Sequence, residues 1–462
     1  MEKVRYIALT DINRGIELDD IQSMHRLLLY ANVIDIEGLI AVTSCFVKRG
    51  AREKQVRQIY NLINGYEKVK CNLDHHAAGY PSADYLRSVT CCGIPCFGAA
   101  PGDGFAEMQY MDNPGVQRIL EASAKEDERP LWIGIWGGAN TLAQAIWTAE
   151  QRMPGKDFEN FLQKFRIYSI SDQDYAGKWI RRRYGDRLFY IVTPSSCDTS
   201  GSREYYKAVW PGISADCNGH GSIDGISRSK GFAGADYSLV NRKWLKKNIQ
   251  SQGIYGRLYP NTHFIMEGDT PAFLGLIPNG LNEPEHPEYG GWGGRYEHYC
   301  PDETGENYPI WTNVSDTVEG IDGKIYTSPQ ATIWRWRSAF QNDYASRVQW
   351  TLNSDYEKAN HPPVLEAEHR VQIVKAGSLV TLCAKITDLD KNGVVVKWYY
   401  YSEAGTQGLS LPYLHKERET KVTFTAPKPI GEESVLHIIL EVSTRTKPVI
   451  TRYCRFIVYI QQ

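Results

Sequence analysis

Apolar and polar positions along the first three-quarters of the chain switch between two periods. Val4-Arg-Tyr-Ile-Ala-Leu9 is a short apolar run that reads as a strand, after which Ile21, Met24, Leu27, Leu28 and Ala31 fall on one helical stripe. Residues 33–43 end in a continuous apolar run, as a strand buried on both faces does. Val56, Ile59, Tyr60 and Ile63 mark a helix over about 51–64, and the stretch after it, with His75-His76, reads as loop. Leu131–Trp136, Phe165–Ile170 and Leu188–Val192 repeat the strand pattern, and Ala139–Ala143 opens a helix behind the first of them. Residues 263–266 predict a further short strand, Pro271 suits the first turn of a helix behind it, and Ser328–Trp350 predicts a long helix with Ser328 as its cap. Strands and helices in alternation predict a parallel α/β sheet with helices on both faces.

Residues 194–260 are rich in Gly and Ser and read as long loops, while Gly290-Gly-Trp292-Gly-Gly294 is either a lid over a ligand or a tight packed crossing. At Lys358-Ala-Asn-His-Pro-Pro-Val364 the composition changes, and beyond it short alternating strands recur: 379–383, 394–401, 421–425, 435–442 and 453–459. That rhythm over about 100 residues predicts an all-β, immunoglobulin-like sandwich. The domain reading is therefore 1–355, a linker over 356–364, and 365–462. Cys383 and Cys454 could approach one another across the sandwich, and Tyr399, Tyr400 and Tyr401 must divide between core and outer face.

Composition narrows the function. A 42% hydrophobic share supports real cores, and twelve Trp with 29 Tyr serve packing or sugar stacking equally well. The net charge of −2 argues against nucleic acid as a partner, and Arg181-Arg182-Arg183 reads as a solvated helix face. No apolar run approaches the roughly 18 residues of a membrane span. Met1-Glu2-Lys3 runs straight into the first strand, without a visible signal peptide. Ten cysteines lack zinc-ribbon spacing, and Asn313-Val-Ser315 is the one glycosylation sequon.

The candidate chemistry lies where the first strand meets the first helix. Asp11 follows the strand, and Asp19 and Asp20 stand in the helix cap and first turn, the crevice where open α/β sheets bind ligands. Carboxylates crowded there repel one another unless a hard cation neutralises them. Polar carboxyl ends recur at Gly137-Gly138-Ala-Asn140, at Ser171-Asp172-Gln173-Asp174 and at Glu267-Gly268-Asp269. The paired glycines suggest a tight turn with free carbonyls.

These motifs resemble a family. Thr10-Asp11…Leu18-Asp19-Asp20, Gly137–Ala143 and Gly268-Asp269 are similar to the three short motifs of nucleoside hydrolases. Ser169–Asp174, Met266–Pro271, Tyr289–Tyr296 and His437–Val442 resemble hallmarks of a mostly extracellular set of cellulose-binding proteins, which join a nucleoside-hydrolase-like domain to an immunoglobulin-like one. The resemblance implies a Ca²⁺ site made by Asp11, Asp20, Asp269 and the backbone carbonyl of Asn140. It also implies hydrolysis of an N-ribosyl or O-glycosidic bond, with Asp11 as base and Asp19, Asp172, Gln173, Asp174 and Glu267 around the substrate. The alternative is glycan binding without turnover. A carbohydrate or nucleoside-like ligand is implied either way, in an extracellular protein that could form homo-oligomers. Two departures stand out: Leu9 replaces the motif's first aspartate, and Gly268 replaces a late histidine that acts as leaving-group acid in some nucleoside hydrolases. Glu267, Asp172 and Asp174 are the carboxyls available in its place.

Overall fold

The structure, a computed structural model, describes residues 2–97, 110–192, 213, 234–262, 265–299, 309–410 and 412–462. An eight-stranded sheet forms the frame. Its strands are β1 (Val4–Thr10), β2 (Ile34–Ala41), β3 (Thr90–Cys92), β4 (Leu131–Ile135), β5 (Phe165–Ser169), β6 (Phe189–Val192), β7 (Tyr296–Tyr299) and β8 (Ile310–Asn313), in the order β3-β2-β1-β4-β5-β6-β8-β7. All neighbours run parallel except β7 against β8. The helices of this part are α1 (Leu18–Leu29), α2 (Glu53–His76), α3 (Ala83–Ser88), α4 (Pro114–Ser123), α5 (Asn140–Arg152), α6 (Gly155–Gln163) and α7 (Ala176–Tyr184).

Strand alternation explains the two layers. Tyr6 and Ala8 of β1 enter a core shared with α1 and α2, whereas Ile7 and Leu9 enter a second core shared with α4, α5, α6 and α7. Both faces of β1 are thus covered, as a parallel sheet requires. β1 lies inside the sheet between β2 and β4, so its carboxyl end opens onto a crevice bounded by neighbouring loops on either side.

Several elements differ from the sequence reading. α2 runs on to His76 because Tyr66, Val69 and Leu73 continue the buried stripe, which places His75 and His76 in its last turn and not in a loop. Ile265 and Met266 form a bend and not a strand, while His263 and Phe264 lie outside the described residues. The helix foreseen over 328–350 is split into Ala331–Trp334 and Arg337–Trp350. Of the long-loop stretch, 234–260 contains a helix, Arg242–Leu245, that runs on as a π-helical turn over Lys246–Gln250, and a second short helix, Gly253–Gly256, and most of the remainder lies outside the described residues. Arg181 is fully buried in an ion pair with Asp172, so only Arg182 and Arg183 form the solvated face. Trp292 is fully buried against Phe340, which makes its glycine-rich loop a packed crossing.

The C-terminal strands make a four-stranded sheet (371–375, 451–461, 433–444, 394–400) and a three-stranded sheet (379–383, 421–425, 415–418), with a short pair, Val364–Glu366 and Lys385–Thr387, beside them. Val380, Leu382, Val422 and Phe424 meet Leu436, Ile438, Leu440, Phe456 and Val458 in a core of their own. Cys383 and Cys454 are free thiols, the first exposed and the second buried, so no disulfide joins them. Tyr401, Ile439 and Tyr453 join the core of the first part, so Ile439 is buried although it faces away from the sandwich core. Polar contacts reinforce that seam. Arg452 Nη1 donates to Asp343 at 2.6 Å, and the buried Asp316 accepts from Arg295 Nε (2.6 Å), Arg335 Nη1 (2.7 Å) and Tyr401 Oη (2.8 Å).

Asp316 ties three elements together, and its removal would leave Arg295 without a carboxylate and Arg335 with Glu403 alone in a largely buried seam. Asp316→Ala is expected to cost about 3–5 kcal/mol of unfolding free energy. Tyr401→Phe, which leaves both ion pairs intact, is expected to cost only about 1 kcal/mol. Urea denaturation of the two variants checks the difference.

Candidate metal centre

Five carboxylates converge at the carboxyl end of β1. Asp11 follows the strand directly and is buried, its Oδ2 accepting from Ser44 Oγ. Ser44 Oγ in turn accepts from the backbone amides of Phe46 (3.0 Å) and Val47 (2.9 Å), so the loop after β2 fixes the Asp11 rotamer. Asp19 and Asp20 stand in the first turn of α1, both buried, while Glu17 occupies the cap position without making a side-chain cap bond. Thr10 Oγ1 donates to Asp20 and accepts from the amide of Ile12 (3.2 Å). Asp269, also buried, comes from the loop before Pro271–Leu274, and its Oδ2 has no hydrogen-bond partner.

These groups sense one another strongly. Burial, Asp20, Asp19, Asp11 and Glu17 push the Asp269 carboxyl well above the usual carboxylate range. Burial and the charges of Asp11 and Asp19 do the same to Asp20. Asp11 is pushed up to about 7, chiefly by burial, and Asp19 to about 6 for the same reason, against the pull of the Gly268 and Asp20 amides. Glu17, raised by burial and by Asp19, Asp11 and Asp20, is a member of the cluster that sequence reasoning missed. Its signal in the sequence is weak, an acidic residue just ahead of a helix, where acids are common.

Elsewhere five buried acids are neutralised by arginine: Glu37 with Arg5, Asp172 with Arg181, Glu267 with Arg26, Asp316 with Arg295 and Arg335, and Asp343 with Arg347 and Arg452, while the buried Asp174 is held by backbone amides. Among the described residues, none of the five clustered carboxylates has a Lys, Arg or His within ion-pair distance. One oxygen each from Glu17, Asp19 and Asp20 lie within 4.8 Å of one another. A hard divalent ion takes oxygen ligands at about 2.3–2.6 Å, so two on opposite sides stand about 5 Å apart. The oxygen donors and the spacing of Glu17, Asp19 and Asp20 fit such an ion, and the unpartnered Asp269 oxygen is a further donor beside them; of the ligands expected from the sequence only Asp20 belongs to that close group, Asp11 and Asp269 adjoining it through their charges.

The remaining candidate residues are placed as follows. Asn140 opens α5; its amide N–H donates to Asp174 Oδ2 at 3.0 Å, and its side chain donates to Thr43 Oγ1 (2.9 Å) and Cys96 O (2.8 Å). Asp174 also accepts from the Ala176 amide at 2.9 Å, serving the starts of α5 and α7 together, and burial pushes it up to about 6. Gln173 donates to Trp136 O at 2.7 Å and leaves its Oε1 buried and unpartnered. Both oxygens of Asp172 are held by Arg181 at 2.9 and 2.7 Å. Both oxygens of Glu267 are likewise taken, by Arg26 (2.6 and 3.0 Å), Tyr259 (2.8 Å) and Thr270 (2.7 Å). Gly137 and Gly138 have no left-handed backbone; a Cβ on them would meet Asp11 Cβ at 2.8 Å and Asp174 Oδ2 at 2.4 Å. Those glycines serve close approach and not a tight turn.

Because the carboxyls of the cluster bind protons more tightly folded than unfolded, metal-free stability is expected to be highest near pH 4 and to fall as pH rises through about 7. In chelator at pH 8, Asp20→Asn removes one repelling charge while keeping an oxygen for Thr10. The variant is expected to melt higher than the unsubstituted protein there and to show a shallower loss between pH 4 and 7. Thermal melts across that range provide the check.

No curated protein matches the chain. Its whole length resembles a solved structure described as a nucleoside hydrolase-related hypothetical protein from Saccharophagus degradans that is associated with carbohydrate metabolism. The TM-score is 0.77 and the identity 28%, over 99% of this chain and 100% of that one. Residues 379–460 match the family described as cellulose-binding protein Sde0182, C-terminal domain. Residues 5–296, which include all five clustered carboxylates, match the family described as cellulose-binding Sde182, nucleoside hydrolase-like domain, and the chain belongs to that family.

Proposed function

We propose that this chain is a calcium-dependent hydrolase of a glycosidic bond, acting outside the cell on a carbohydrate substrate. The observation that carries the reading is the contrast in charge compensation: four buried carboxylates and the half-buried Glu17 have no cationic side chain within ion-pair distance among the described residues, in a protein that pairs Glu37, Asp172, Glu267, Asp316 and Asp343 with arginine. Asp11, Asp20 and Asp269 would hold the ion with the backbone carbonyl of Asn140, and Glu17 and Asp19 would complete the shell. Bound there, a divalent cation supplies Lewis-acid polarisation of a water and of sugar hydroxyls.

The chain's own residues supply the rest. Asp11, held by Ser44 and pushed up to about 7, accepts a proton near neutral pH, where a general base is most effective. Asp11 is itself 1% exposed, with Ser44 and the Gly137 backbone against it, so bulk water is kept from that carboxylate. The unpartnered Gln173 Oε1 can accept from a sugar hydroxyl. Asp172 and Glu267 have no oxygen free for that task, so their part is to hold the loops. A carbohydrate fits the association stated for the related structure and the family's description. Cys45, next to Ser44, is disulfide-bonded, which suits an oxidising compartment. The cellulose-binding description also favours a second reading, in which the same site holds a glycan without turning it over.

Asp11→Asn keeps an oxygen and the volume while removing the base. It is expected to retain most of its calcium affinity yet lose activity by about 10² or more, as removal of a positioned base does. Asp20→Asn and Asp269→Asn should lose metal and activity together, with partial recovery in excess calcium. A screen of aryl glycosides, oligosaccharides and nucleosides, with calcium titration of the three variants, tests the proposal. Saturable glycan binding by a protein that cleaves none of them would favour the second reading.

A further inference from the structure

The loop carrying Asp269 is gripped at three points by a single face of α1. Gln22 Oε1 accepts from the amide of Glu267 at 2.9 Å, Ser23 Oγ accepts from the amide of Asp269 at 3.3 Å, and Arg26 forks both oxygens of Glu267 at 2.6 and 3.0 Å. Positions 22, 23 and 26 follow directly on Asp19 and Asp20 along the same helix, so one rigid element supplies two carboxylates and the grip on a third.

The gripped backbone is not relaxed. Glu267 has φ +51°, the left-handed region that a residue with a Cβ enters only at a cost. Gly268 follows, and a Cβ there would stand 2.2 Å from Asp19 Oδ2, so the loop and the α1 carboxylate occupy adjoining volume with nothing to spare. Arg26 is itself over-determined: it donates to Phe340 O at 3.1 Å and to Gln341, and lies 4.0 Å from the Tyr344 ring centre. Beyond this turn, Asp269 presents a buried oxygen without a partner, at a point where four other carboxylates oppose its charge. Left to electrostatics alone, that loop would swing away.

We infer that the Arg26–Glu267 ion pair, with Gln22 and Ser23, is a positioning clamp that holds the Asp269 carboxylate inside the repelling cluster and thereby sets the cluster's affinity for a divalent cation. Arg26 and Glu267 act through Asp269 and touch neither ion nor substrate. The affinity part rests on the proposed metal site; the positioning part does not.

The test uses the full chain in two arms. In the first, calcium is titrated into chelator-treated protein. Arg26→Lys, which keeps the charge but loses the fork, and Ser23→Ala are expected to weaken calcium about 10–100-fold, as loss of a partner behind a metal ligand does. Ser23→Thr, which restores the hydroxyl, should recover most of it. The second arm needs no metal: a double-mutant cycle of Asp20→Asn and Asp269→Asn, read as melting temperature in chelator at pH 8. The two substitutions are expected to be non-additive in the natural background and additive with Ser23→Ala or Arg26→Lys present. Folding of each variant is verified by circular dichroism, and Ser23→Ala carries both arms if Arg26→Lys does not fold. Unchanged calcium affinity in the folded variants, or a cycle still non-additive with the clamp broken, overturns the inference. If the natural protein binds no divalent ion, the functional reading fails and the cycle alone decides the clamp.

Discussion

Mutual repulsion among Asp11, Glu17, Asp19, Asp20 and Asp269 is the constraint around which this molecule is arranged. Two unit charges about 4 Å apart interact by about 4 kcal/mol at the effective dielectric of a protein surface, and burial adds its own penalty. Folding alone does not bring such groups together; each must be held. Thr10 and Ser44 hold Asp20 and Asp11 through hydroxyl donors, the first turn of α1 fixes Asp19 and Asp20, and a strained loop delivers Asp269. The first three of these supports lie on or next to the carboxyl ends of β1 and β2 or on α1, and α1 grips the fourth.

The surrounding frame is stiff enough to bear that load. β1 is buried on both faces by separate cores, and α1 packs into one of them through Met24, Leu27 and Leu28. Arginine pairs are placed behind the site and not in it: Arg26 with Glu267 beneath the Asp269 loop, and Arg181 with Asp172 beneath the end of β5. The C-terminal sandwich adds a further brace. Its four-stranded sheet packs against the first part through Tyr401, Ile439 and Tyr453, and Arg452 reaches Asp343 on the same helix whose Phe340 carbonyl receives Arg26. We propose the division at 356–364 as a boundary between two cores that nonetheless share one seam.

Much of this was legible in the chain because local patterns and global fold agree. The alternation of strand and helix, and the polar carboxyl ends at 11, 140, 172–174 and 269, are short-range signals that sheet topology brings to one edge. What escaped notice depends on partners distant in sequence. The run 181–183 looks uniformly solvated, yet Arg181 turns inward because Asp172, in the loop just past β5, takes both of its terminal nitrogens. The glycines at 137 and 138 read as a turn, but their reason is the side chains of Asp11 and Asp174 standing over them. Glu17 lies before a helix, where acids are common, and only the fold shows it beside Asp19, Asp20 and Asp11. The bend at 265–266 replaces a strand because residues 267–270 are gripped by α1 and not by a sheet neighbour.

The central claim is that this charge cluster exists to hold one divalent cation. Calorimetric titration of calcium into chelator-treated protein at pH 6.5, in two buffers of different ionisation enthalpy, tests it most directly. Such a titration counts the ions bound and the protons released. With Asp11 pushed up to about 7 and its neighbours also raised, binding of one ion per chain should be saturable and should expel protons. Absence of saturable binding, or binding without proton release, would contradict the account.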